Sequence, residues 1–216
     1  MISALVQVAA EVRSEIRRRF DWIYEKLSEF LGMEQRTAEF SLSEEETALV
    51  ERSRETAEAF FGSSAGETLA GLSPQRRMAL MEDFSYRMLD LWEMSDCDVI
   101  ITDSEAIFSE TEAASCMGKC DLEEGVIYLN SYFLMEDHES ILRKCALAAV
   151  HEIRHMMQWR AAEGRLNIPV GEAAADRWRQ NLKGGYIRAS ADLEGYYRQP
   201  VEYDARNFAC LVLGEL

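Results

Sequence analysis

Two of the chain's three histidines stand four residues apart, with a glutamate directly after the first, in the run His151-Glu152-Ile153-Arg154-His155. On a helix, positions i and i+4 project from one face, so the two imidazoles can grip a single cation with Glu152 beside them. The chemistry this suits is hydrolysis with a metal-activated water, zinc being the expected ion, one per chain, and Glu152 the general base. The plainer alternative is a pair of surface histidines. With three histidines in the whole chain, that coincidence is of order one in a few hundred. Cys116 and Cys120, spaced Cys-x-x-x-Cys, form a weaker metal candidate, because no second cysteine pair accompanies them and ordinary thiols explain them as well.

The motif resembles that of the zincin superfamily, and within it the gluzincins, whose third zinc ligand is a glutamate on a later helix. The resemblance implies a zincin-like core, a small β-sheet packed on the motif helix. Two segments offer the third ligand. Gly171-Glu172-Ala-Ala-Ala-Asp176 is similar to the Gly-Glu-Asn-x-Ala-Asp pattern of thermolysin-like enzymes, without the asparagine and closer to His155 than in that pattern. Gln199-Pro-Val-Glu202-Tyr-Asp204-Ala205 resembles the tail of small, mostly uncharacterised bacterial and phage proteins. These also carry His-Glu-x-x-His followed closely by glutamine, here Gln158. That likeness spans roughly Gly125 to Ala209 and leaves the first 95 residues aside. Glu202 is the preferred ligand: Ala205 and Ala209 follow it and permit close approach of its helix, whereas Glu172 sits at a helix start, where an acid is expected anyway.

Two imidazoles and one carboxylate leave an open fourth position, the arrangement of catalytic rather than structural zinc. Glu152 would take the water's proton and pass it to the leaving amine. The oxyanion needs a donor, and Tyr186, Tyr196 and Tyr197 are candidates, while Asp204 is a candidate to orient a ligating histidine. The function expected is a zinc metallopeptidase acting on a peptide or protein. A catalytically silent zincin-fold binding or regulatory module, such as a phage or mobile-element accessory, is the alternative, and a mainly structural zinc a third.

The elements that must position these residues are mostly helical. Leu5, Ala9, Val12, Ile16, Phe20, Ile23, Leu27 and Phe30 mark an amphipathic helix over residues 4–32. Ser43 followed by three glutamates predicts a helix from Glu44 to Phe61, and Ser73-Pro74 another to about Met94. Short β-branched or aromatic runs predict strands at Cys97–Thr102 and Gly125–Asn130, the latter as a cleft-lining edge strand open to an extended peptide. The stretch from Ser104 to Glu124 is expected to be irregular, with room for one more short strand. Helices follow over Glu139–Arg165, which carries the motif, then Glu172–Leu182 and Pro200–Leu213. The fold class expected is therefore α+β and mostly helical, with a helical region over residues 1–95 and the metal-binding core over 96–216.

Composition sets outer limits. The 216 residues carry 39 acidic and 23 basic side chains, a net charge of -16, which repels polyanions and argues against a nucleic-acid partner. Charged residues interrupt every hydrophobic stretch, so no membrane span is expected. The apolar amino terminus lacks a basic leader, and five scattered cysteines suit a reducing compartment, so a cytoplasmic location is expected. Oligomerisation is compatible with the pattern and not implied by it.

Overall fold

Ser43 starts the first helix that the computed structural model describes. Its hydroxyl accepts the Glu46 backbone N–H, and the Glu46 carboxylate in turn accepts the Ser43 N–H, both at 3.1 Å. This reciprocal cap satisfies two donors that a helix start leaves unpaired. The described residues are 42–109, 116–168 and 170–214. The helix expected over 4–32 lies outside them.

The cap opens α1 (Glu44–Phe61), which stops at Gly62, whose positive φ of 63° a side chain would strain. A short α2 (Ala65–Ala70) and α3 (Pro74–Leu91), with proline in its first turn, follow. The apolar faces of α1 and α3 meet through Phe60, Phe61 and Phe84, the last two edge-on at 4.8 Å. These helices share one unit, Ser41–Leu216, with everything that follows.

Three strands come next: β1 (Asp98–Thr102), β2 (Gly118–Asp121) and β3 (Val126–Asn130). Their spatial order is β1-β3-β2, with β1 parallel and β2 antiparallel to β3. This corrects the sequence expectation for Gly125–Asn130, since β3 is the central strand. The edge beside the motif helix is β2, the further short strand for which the Ser104–Glu124 stretch had room. Ile127 and Leu129 of β3 are buried, and opposite them on the same face stand Cys120 and Gly118 of β2.

A single turn, α4 (Ser131–Leu134), leads to the long motif helix α5 (Glu139–Ala162). Ala146, Ala149, Val150, Ile153, Met156 and Met157 are all almost fully buried, so α5 is the central element, against which α2, α3, α6, α8 and the sheet all pack. Then come α6 (Glu172–Gln180), one π-helical turn (Asn181–Gly185), α7 (Leu193–Arg198) and α8 (Pro200–Leu213). Ala205 and Ala209 of α8 are buried, as close packing of α8 on α5 requires. The architecture is α+β and mostly helical. Among the described residues no helix is long and apolar enough to cross a membrane.

Candidate metal centre

The i, i+4 spacing on α5 brings the motif imidazoles together, with His151 Nε2 and His155 Nε2 2.9 Å apart and the rings edge-on. From α8, the first-turn residue Glu202 reaches both. Its Oε2 lies 3.2 Å from His151 Nε2 and its Oε1 3.2 Å from His155 Nε2. Among the described residues these three form the one group of histidine, cysteine and carboxylate side chains close enough to hold a metal ion.

The donor set fits zinc. A tetrahedral ion with bonds of about 2.0–2.1 Å separates its ligand atoms by about 3.3 Å. The observed separations of 2.9 and 3.2 Å need only a few tenths of an ångström of opening. A second observation concerns satisfaction. Glu202 is 1% exposed, yet its Oε2 has no hydrogen bond of ordinary geometry beside its 3.2 Å contact with His151 Nε2. A buried carboxylate oxygen in that state is costly unless a cation meets it.

The same crowding perturbs the acid–base chemistry. Burial disfavours a charge on His155, but the Glu202 carboxylate outweighs it, helped by Glu152 and Gln158, and holds the imidazole up at about 9. Burial also pushes the Glu202 carboxyl up, and the two histidines more than offset this, leaving it well below the usual carboxylate range. Without metal the centre is therefore an ion pair of opposite charges, whose proton a cation would replace.

The other candidates separate cleanly. Glu172 is exposed in the first turn of α6, outside the cluster. Tyr186 donates from its hydroxyl to Glu202 Oε1 at 2.9 Å, and burial followed by the Glu202 charge pushes its phenol well above the usual range. Tyr196 stands edge-on to Tyr186 and to Tyr197, and burial with the Glu202 charge raises its phenol likewise. Tyr197 lies under the Arg206 guanidinium at 4.8 Å, and burial pushes its phenol up, with Arg206 opposing and Glu202 adding to the shift. Asp204 has its oxygens on Arg154 and Gln158.

Glu152 is 8% exposed and faces the edge strand. A Cβ added at Gly118 would lie 3.1 Å from Glu152 Cγ, so the missing side chain is what lets β2 lie against this residue. Cys120, two residues on and on the same face, has its thiol pushed well above the usual range by burial and then by Glu152.

Two groups escaped the sequence reading. Arg154, inside the motif, is fully buried between the rings of Trp178 and Phe208 at 5.0 and 4.7 Å. Its guanidinium binds both Asp204 oxygens at 2.7 and 3.0 Å, and Glu46 of α1 at 2.9 Å. The one local sign is that Arg154 follows His151 by three residues and so neighbours it on the surface of α5. Nothing local points to Glu46. No family model, curated protein or solved structure matches the chain.

Proposed function

We propose that the protein is a zinc-dependent peptidase of the zincin type, with His151, His155 and Glu202 as metal ligands and Glu152 as general base. The observation that carries this reading is the convergence of two imidazole nitrogens and a buried carboxylate whose Oε2 lacks a hydrogen bond. The antiparallel edge strand β2 beside α5 adds support, since an extended peptide can pair with a sheet edge next to Glu152.

Zinc held by His151, His155 and Glu202 would supply a water acidic enough to lose a proton near neutrality and a positive charge for a carbonyl oxygen. Glu152, next to His151 in sequence and outside the ligand group, takes the proton and delivers it to the leaving amine. Tyr186, whose hydroxyl donates to Glu202 Oε1 at 2.9 Å and would be freed if that oxygen took up a metal, and its neighbour Tyr196 are the candidate donors to charge on the substrate oxygen. The substrate is a peptide or protein, and the net charge of -16 disfavours nucleic acid.

The test is metal content followed by turnover on a peptide library. About one zinc per chain is expected in wild type and Glu172→Gln, and none in Glu202→Gln. Glu152→Gln should keep its zinc and lose about 10²- to 10⁴-fold in hydrolysis. Wild-type protein that takes up no zinc at neutral pH would sink the reading, as would undiminished turnover in Glu152→Gln. A zinc protein that cleaves nothing would favour a binding module on the same scaffold.

A further inference from the structure

We propose that Gln158 is the positioning residue of this centre: its amide oxygen holds a proton on His155 Nδ1 and so reserves Nε2 for the cation. This deepens the metal reading above and rests on it.

Gln158 lies one turn after His155 on α5 and is fully buried, so water does not compete for its amide. Its Nε2 stands 2.9 Å from the Val201 carbonyl oxygen and 2.7 Å from Asp204 Oδ2. Its Oε1 stands 2.8 Å from His155 Nδ1. The carbonyl is an acceptor only, and so is a carboxylate clamped by Arg154 Nε and Nη2. Both N–H bonds of the amide are therefore committed to these two oxygens. Turning the amide over would set its oxygen against two other oxygens and its NH₂ against the imidazole, at the cost of both bonds. With the amide fixed this way, Oε1 can only accept, and His155 Nδ1 must donate.

The direction of every bond then follows along one line. Glu46 and Asp204 hold Arg154, Asp204 and Val201 O orient Gln158, and Gln158 sets the His155 tautomer. Nε2 is left for Glu202 in the metal-free protein and for the ion in the loaded one. A neutral imidazole in water has no such commitment, and part of its population carries the proton on the nitrogen that must ligate. The partner here is a neutral amide rather than a carboxylate, so it directs the ring without adding charge to a centre that already holds Glu202 and Glu152.

The experiment is nitrogen-15 and proton NMR of the histidine side chains in the full chain, metal-free and zinc-loaded, together with zinc titration of Gln158→Met. A slowly exchanging, downfield Nδ1–H on His155 is expected in both states of the wild type. Gln158→Met should lose that protection and bind zinc about 10- to 100-fold more weakly while keeping its circular dichroism. A bare Nδ1 on His155 in wild type would overturn the proposal, as would unchanged zinc affinity in a folded Gln158→Met. If that variant fails to fold, the wild-type spectrum alone decides. A protected Nδ1–H in a wild type that binds no zinc would instead overturn the metal reading.

Discussion

The motif helix carries two buried charge clusters on adjacent faces, and they are finished to different degrees. Around Arg154 each guanidinium nitrogen has a partner: Nε on Asp204, Nη1 on Met157 Sδ, and Nη2 on Glu46 and Asp204, with an aromatic ring on either side. Around Glu202 two imidazole nitrogens face one another, and one carboxylate oxygen has no hydrogen bond. Burial costs both clusters alike, so the difference lies in what completes them. The first is closed by the chain itself. The second presents the donor set of a cation site, and Gln158 bonds to a member of each.

The largest effect that would break this comparison is expected at the closed cluster. Arg154→Met strands the Glu46 and Asp204 carboxylates, and should destabilise the fold by about 3–5 kcal/mol in urea unfolding. Added zinc should not restore it in full, and a loss below 1 kcal/mol would show that the cluster is not structural.

Next comes the open cluster. At a zinc concentration of 100 Kd, wild-type protein should gain about 2.7 kcal/mol over chelator-treated protein. Glu202→Gln should show no such gain. An equal zinc response in both would remove Glu202 from the ligand set.

A pH series sharpens the contrast further. The folded pKa of His155, about 9, lies above its unfolded value, so the stabilisation it brings to metal-free protein is complete below pH 6.5 and lost as pH rises to about 9. Zinc-loaded protein, whose ligating imidazoles are already neutral, should be flat over that window, as should the contribution of Arg154, which stays charged. A metal-free midpoint that does not fall between pH 6.5 and 9 would contradict the pairing.

The smallest effect belongs to the 2.7 Å pair between Arg160, half-buried on the same helix, and the exposed Asp96. Arg160→Gln should cost less than about 1 kcal/mol and fade with salt. A cost near that of Arg154→Met would mean that burial is not what separates these arginines.

Much of the ligand group was legible because its signal is local. The spacing of His151 and His155 is helical geometry, and Glu202 was preferred to Glu172 on the likeness of its segment to other His-Glu-x-x-His proteins and on Ala205 and Ala209, which are buried. The Ser43 cap and Pro74 gave helix starts to the residue. Strand β2 was not legible as the sheet edge. Gly-Lys-Cys-Asp contains no β-branched or aromatic residue, and pairing with β3 makes it a strand. Its neighbour β3 was read as the edge because two sequence runs cannot reveal which strand lies between. Arg154 was opaque for a related reason: a charged residue on a helix reads as surface, and its Glu46 partner lies 108 residues away in the chain.

Glu46 uses its two oxygens for different purposes: Oε2 caps the first turn of α1, and Oε1 holds Arg154 of the motif helix. The start of α1 and the middle of α5 therefore open together or not at all. Amide hydrogen exchange at Ser43, at the end of a helix where fraying would ordinarily leave it fast, should instead follow the opening of the buried Arg154 cluster.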